Sequence, residues 1–242
     1  MIDIHCHILP GVDDGAADLD ESVKMAKIAH ADGIATIIAT PHINTSSITR
    51  QSLSLCHDML VQRLEEKRIP LDILLGGEVS FYLDSSQLNV HTLNGTKYIL
   101  IEFPAGHMPQ HAGEILFHLI LKGFYPIIAH PERNAAILKN PDILFDLLNM
   151  KVLAQITAGS LTGMFGTDSM ACARFLLRKG AVSFIASDAH SARYRRPVLS
   201  QAVQAAGKII GKENALKLVT TNPQAMLAGG PVGRSEGEKV RR

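Results

Sequence analysis

Residues 126–133 read PIIAHPER: a short apolar run that stops at His130, with Arg133 just beyond it. A run with no polar alternation suits a strand of a parallel sheet, covered on both faces. The abrupt change to His130 and Arg133 suits the C-terminal end of such a strand, where parallel α/β folds place their functional groups. Similar runs lie on either side of it, at 2–5, 35–39, 73–76, 98–102, 152–156 and 183–186. Between them fall amphipathic segments, at 20–31, 52–67, 112–121, 143–148, 169–179 and 198–210. Unbroken strand–helix repetition predicts one parallel α/β domain over residues 1–227. Its last part, 212–227, reads as a helix or two interrupted at Asn222-Pro223. The Gly-rich, charged tail at 228–242 is expected to be disordered.

Composition narrows the function classes. The chain has 242 residues, of which 46% are hydrophobic, enough for a sizeable core. A net charge of +1 provides no global field for nucleic acid or an anionic membrane, so any anionic substrate must be held by a local site. The opening MIDIHCHILPG lacks the basic start and apolar run of a signal peptide. No apolar stretch is long enough for membrane insertion, and the longest candidates are broken by His118 and Lys122. Cys6, Cys56 and Cys172 have no metal-type spacing, and this usage fits a reducing cytoplasm.

The strand ends carry the chemistry. His5-x-His7 closes the first strand, and strand alternation puts both imidazoles on one face. The second strand leads to His42 and the third runs into Glu78. The fourth, YILIEF, delivers Glu102; the fifth delivers His130; the seventh, SFIASDAH, ends in Asp188 and His190. Groups converging as a ring favour a closed barrel, because an open sheet would spread them along a line. Imidazole with carboxylate and no thiolate suits zinc, manganese or iron. With Asp14, the weakest candidate, the set is too large for one tetrahedral ion, so it predicts two or three ions sharing a bridging carboxylate. Asp13-Asp14-Gly15 also reads as a simple turn.

Arg133 and Arg195 closely follow ligand-bearing strands, and a guanidinium fork matches phosphate oxygens. Arg193 and Arg196 compete with Arg195 for that role. Cys172 to Arg178 matches the C-x5-R pattern of cysteine-dependent phosphatases. That chemistry needs free backbone N–H groups in a loop, whereas these residues lie within a predicted helix, so Cys172 reads as core. Cys6, between two inward histidines, should face the other way.

MIDIHCHILPGVDDG, TPH, GGEV, LIEF, IIAHPER and SDAH, in this order, resemble the polymerase-and-histidinol-phosphatase (PHP) superfamily. More narrowly they resemble the CpsB/YwqE-type bacterial tyrosine-protein phosphatases, over nearly the whole chain to about residue 227. The resemblance implies a distorted (β/α)7 TIM-like barrel with a trinuclear site, often manganese. By position, His5, His7, Glu78 and Asp188 would hold one ion; Glu78, Glu102 and His130 a second; Asp14, His42 and His190 the third. Arg133 and Arg195 match the phosphate-binding arginines. The implied activity is hydrolysis of phosphotyrosine by metal-activated hydroxide, on a bacterial tyrosine kinase of capsule or exopolysaccharide synthesis. His107 and His111, in the loop after Glu102, are general-acid candidates, though as exposed loop residues they need no such role. Three alternatives remain: a histidinol-phosphate-like phosphatase, an amidohydrolase-type deacylase, and a metal-binding regulator without turnover. Glu78 stands where the deacylase would have a carboxylated lysine.

Overall fold

The computed structural model describes residues 1–45, 48–83 and 91–235. The apolar runs form β1 (Ile2–Cys6), β2 (Thr36–Ala39), β3 (His42–Ile43), β4 (Asp72–Leu75), β5 (Glu78–Ser80), β6 (Tyr98–Glu102), β7 (Tyr125–Ala129), β8 (Leu153–Thr157) and β9 (Phe184–Ala186). The amphipathic segments form α1 (Leu19–Ala31), α2 (Arg50–Glu66), α3 (Ala112–Leu121), α4 (Ala135–Lys139), α5 (Asp142–Asn149), α6 (Ala158–Leu161), α7 (Gly166–Arg178), α8 (Ser200–Ile210), α9 (Lys212–Lys217) and α10 (Thr221–Leu227). Every strand pair is parallel. The result is an α/β fold whose sheets curve into a barrel-like layer.

The predicted third strand is divided. It ends at Leu75, and Glu78 opens a strand of its own, just as His42 opens β3 after the break at Thr40-Pro41. Accordingly the strands fall into two sheets, β1-β2-β4 and β3-β5-β6-β7-β8-β9. The backbone bridges the gap between them: Gly76 N donates to Ala39 O at 2.9 Å and Glu78 N to Pro41 O at 3.0 Å. Gly76 and Gly77 permit this crossing. A Cβ on Gly77 would lie 2.7 Å from Ile43 Cγ1, and one on Gly76 2.8 Å from Leu93 Cδ2. At the other edge, β9 returns to β1 through a parallel bridge between Cys6 and Ala189. Asp188 N donates to His5 O at 2.8 Å and His7 N to Ala189 O at 2.9 Å.

Alternation divides the apolar residues between two layers. Ile2, Ile4, Ile38, Leu100, Ile127, Leu153 and Phe184 share one cluster, inside the ring of strands. Ile37, Ile99, Ile101, Ile128, Ile156 and Ile185 join the larger cluster with the helices. In β1 the register slips by one residue between Asp3 and Cys6. This β-bulge turns the chain so that Ile4 and then His5 both reach the interior, while Cys6 joins the helix-side cluster. Asp3 Oδ1 accepts from His5 N at 3.3 Å and from Ser187 N at 3.0 Å, occupying donors near the bulge. Plain alternation placed the histidines and Cys6 on opposite faces; the bulge is what lets Ile4 stay inside as well.

Of the C-terminal stretch expected to be disordered, Gly230 and Ser235 are hydrogen-bonded to the rest of the domain. Tyr98 Oη donates to Gly230 O at 2.6 Å and Ser235 N to Val182 O at 2.5 Å. Residues 236–242 lie outside the described residues. Among the described residues no helix is long and apolar enough to cross a membrane.

Candidate metal centre

His5, His7, Glu78 and Asp188 meet at the mouth of the strand ring, each almost fully buried. Glu78 Oε2 lies 3.2 Å from His5 Nε2 and 3.2 Å from His7 Nε2. Asp188 Oδ1 is 3.4 Å and 3.5 Å from the same two nitrogens. The other Glu78 oxygen, Oε1, lies 2.8 Å from His130 Nε2, and Glu102 Oε1 is 3.8 Å from that nitrogen. His190 Nε2 lies 3.3 Å from Asp14 Oδ1, and His42 Nε2 3.5 Å from the same oxygen. Three sets can each hold a cation, their ligand atoms within 4.8 Å of one another: His5, His7, Glu78, Asp188; His42, Glu78, Glu102; and His7, Asp14, His42, His190. His42 therefore belongs to two groups: its Nδ1 faces Glu78 Oε2 at 3.1 Å and Glu102 Oε2 at 3.5 Å. The family resemblance joins His42 only to Asp14 and His190 and gives the second ion His130, which falls in none of these three groups among the described residues.

The donors fit divalent cations. His42 Nδ1, Glu78 Oε2 and His190 Nε2 are covered yet make no hydrogen bond. Leaving such groups unsatisfied costs about 1–3 kcal/mol each, and a shared cation satisfies them together. Burial alone would raise the Glu78 carboxyl, but His5, His130 and His42 hold it well below the usual carboxylate range. Asp188 is likewise held low by His5 and His7 against its burial. Burial would lower His5, yet Glu78 and Asp188 raise it. His190 is pushed down to about 4 by burial and by His7, which leaves its nitrogen free to ligate. The centre thus concentrates negative potential around imidazole lone pairs, the electrostatic condition for one or more divalent ions.

The outer ring nitrogens are fixed in turn. His5 Nδ1 bonds Gln155 Oε1 at 2.9 Å, His7 Nδ1 bonds Asp13 Oδ2 at 2.6 Å, and His190 Nδ1 bonds Asp188 O at 3.1 Å. Each acceptor selects the tautomer whose Nε2 lone pair points inward. Arg133 Nη1 donates to Asp188 Oδ2, and Arg195 Nη2 lies 2.5 Å from the same oxygen. His190 N and Ser191 N both donate to Arg195 O, at 2.9 Å and 3.1 Å, making a tight turn that folds this arginine back over the site. Arg193 instead lies over the Tyr194 ring at 5.1 Å, and Arg196 is exposed.

The model of the family "Capsular polysaccharide synthesis, CpsB/CapC" matches residues 1–228. The chain belongs to the CpsB/CapC family. It is 41% identical over 248 residues to the tyrosine-protein phosphatase YwqE of Bacillus subtilis, covering 100% of this chain and 97% of YwqE. It is 36% identical over 209 residues to the putative tyrosine-protein phosphatase CapC of Staphylococcus aureus, covering 83% of this chain and 81% of CapC. A crystal structure from work on YwqE of B. subtilis and CpsB of Streptococcus pneumoniae, described as unique metal-dependent tyrosine phosphatases, superposes with a TM-score of 0.93. That alignment has 41% identity and covers 100% of both chains.

In this CpsB/CapC chain two orienting residues escape the sequence reading, Gln155 behind His5 and Asp13. The wider reach belongs to Asp13. It accepts from His7 Nδ1, from His42 N at 2.8 Å and from Gly15 N at 2.9 Å, so one carboxylate ties together the segments that carry two candidate ligands, His7 and His42. Burial would raise it, but His7 and the two backbone donors lower it to about 2. Gly15 is required beside it, since a Cβ there would lie 2.2 Å from His7 O. The signal was present in the paired Asp13-Asp14-Gly15, of which only Asp14 was read as a ligand; Asp14 is the exposed member. Asp13→Asn is expected to weaken metal retention about 10- to 100-fold, read by chelator competition with the folded protein. Unchanged affinity would show that the carboxylate has no orienting role.

Cys172 lies within α7, buried, and burial pushes its thiol up to about 12, the reverse of a nucleophile's requirement. Cys6 is also buried and its thiol is raised well above the ordinary value by burial. His107 Nε2 meets Tyr82 Oη at 3.1 Å, and His111 Nδ1 meets Glu114 Oε2 at 3.4 Å. Neither histidine belongs to a cation-sized group among the described residues.

Proposed function

We propose that this chain is a metal-dependent protein-tyrosine phosphatase whose site is built from the nine His, Asp and Glu side chains named above, with Arg133 and Arg195 as its phosphate-binding residues. The observation that carries the reading is the meeting of two guanidinium forks on Asp188 at the edge of a cation-binding cluster. Phosphorylated protein substrates follow from the relatives named tyrosine-protein phosphatases. The capsule-synthesis family supports a bacterial tyrosine kinase of capsule or exopolysaccharide synthesis as the partner.

When bound, divalent ions supply Lewis-acid polarisation of phosphoryl oxygens and lower the pKa of water. The protein's residues do the rest. Glu78 joins the ligand groups, and Asp13, Gln155 and the Asp188 carbonyl hold the imidazoles in one tautomer. Arg133 and Arg195 bind phosphoryl oxygens and fix the ester's approach. A tyrosine leaving group, with a pKa of about 10, needs less proton donation than an alkyl alcohol. This agrees with His107 and His111 being engaged by Tyr82 and Glu114.

Three ions fit the grouping best, with Glu78 shared. Manganese is our first assignment, and iron and zinc suit the same donors. We read the barrel as a distorted (β/α)7 unit over residues 1–227, taking β2 with β3 and β4 with β5 as single interrupted strands; the hydrogen bonds across both interruptions support this. A cytoplasmic location is supported by three free cysteines. The test compares phosphotyrosyl peptide with histidinol phosphate, using metal-loaded wild type and Cys172→Ser. Both proteins should prefer the phosphotyrosyl peptide and turn it over equally. Faster histidinol-phosphate hydrolysis would assign the small-molecule alternative, and a folded but inactive Cys172→Ser would refute the mechanism.

A further inference from the structure

We infer that Phe165 is a positioning residue whose ring is the common seat of both phosphate-binding arginines. The inference rests on the reading of this site as a phosphatase centre. Arg133 Cζ lies 4.3 Å from the Phe165 ring centroid and Arg195 Cζ lies 5.6 Å from it. The two cations come from different loops, one after β7 and one after β9, and would repel each other as they approach a common point. An aromatic face attracts guanidinium groups through its quadrupole, so one ring can gather both without using the donors that phosphate needs. Asp188 Oδ2 meets one nitrogen of each guanidinium, Arg133 Nη1 and Arg195 Nη2, while Arg195 Nε is buried without a hydrogen-bond partner, so the ring supports the guanidinium faces that this carboxylate leaves uncovered.

The ring is itself held in place. Phe165 lies just before α7 in a tight loop where Gly163 and Gly166 have φ of 89° and 86°. Met164 N donates to Gly159 O at 2.9 Å and Gly166 N to Gly163 O at 3.2 Å. Gly159 leaves room beneath: a Cβ there would come within 2.9 Å of Phe165 Cε2 and 3.1 Å of Met164 Sδ. None of these contacts involves the proposed metal ligands. Holding the forks before substrate arrives removes part of the ordering cost of phosphate binding.

The test measures orthophosphate affinity by calorimetry, and kcat and KM on a phosphotyrosyl peptide, for metal-loaded wild type, Phe165→Leu, Phe165→Tyr and Gly159→Ala. Phe165→Leu should weaken orthophosphate about tenfold and raise KM similarly, while metal content stays that of wild type. Phe165→Tyr, which keeps the aromatic face, should stay within about twofold of wild type. Gly159→Ala, which displaces the ring without changing its chemistry, should move in the direction of Phe165→Leu. In a background lacking both arginine side chains, Phe165→Leu should have no further effect. Wild-type orthophosphate affinity in Phe165→Leu, or a loss of equal size without the arginines, would overturn the role. Orthophosphate binding needs no turnover, so an inactive wild type would refute the phosphatase reading while the ring's role is still decided.

Discussion

Glu78→Gln should release metal and lower kcat/KM on a phosphotyrosyl peptide by about a thousandfold or more. The substitution keeps size and shape and removes only charge. Glu78 is fully buried, and its two oxygens face His130 on one side and His5, His7 and His42 on the other. An amide cannot neutralise adjacent dications, and its NH2 would present protons where the imidazoles need a negative partner. The centre would lose the ligand shared by two of its three groups, so the damage should reach both of them at once. Metal content by atomic emission and turnover should fall together, with the circular dichroism spectrum unchanged. A variant that keeps its metal and its rate would remove Glu78 from the centre of the account.

The arginines should separate from the ligands in the opposite way. Arg133→Ala and Arg195→Ala should each reduce kcat/KM by about a hundredfold or more while leaving metal content close to that of wild type. Both forks reach Asp188 from outside the ligand cluster, and their side chains remain about a quarter exposed, 25% and 26%. Removing one leaves the buried carboxylate with its histidine neighbours, so the fold and the metal ligands survive. Each loss should appear mainly as weaker binding of phosphate and of the transition state. Arg193→Ala is the control, since that side chain stacks on Tyr194 rather than over the site. An Arg193 variant with the larger defect would reassign the phosphate contact.

Much of this was legible in the chain because parallel strands write plainly. A run such as 126–129 has no polar alternation, and the residue after it is a ligand candidate by position alone. That logic located His5, His7, His42, Glu78, Glu102, His130, Asp188 and His190 near one point. Features that depend on backbone geometry were not legible. The slip in β1 between Asp3 and Cys6 leaves no mark in composition, yet it lets Ile4 and His5 both face inward. The splitting of the third strand depends on two glycines whose missing side chains accommodate Leu93 and Ile43. Asp13 and Gln155 were missed because an orienting partner need not lie at a strand terminus; it has only to reach the far nitrogen of a ligand. Phe165 was invisible for a related reason: an aromatic residue in a glycine-rich loop reads as local packing until two arginines are seen above it.

The claim beneath all of this is that cations held by the His, Asp and Glu cluster are required for phosphotyrosine hydrolysis. Its most direct measurement strips the wild-type protein with a chelator and titrates manganese back while recording bound metal and phosphotyrosyl-peptide turnover together. Turnover should vanish on stripping and return in proportion to metal bound, saturating when the sites fill. Full turnover in protein shown to be metal-free would contradict the account.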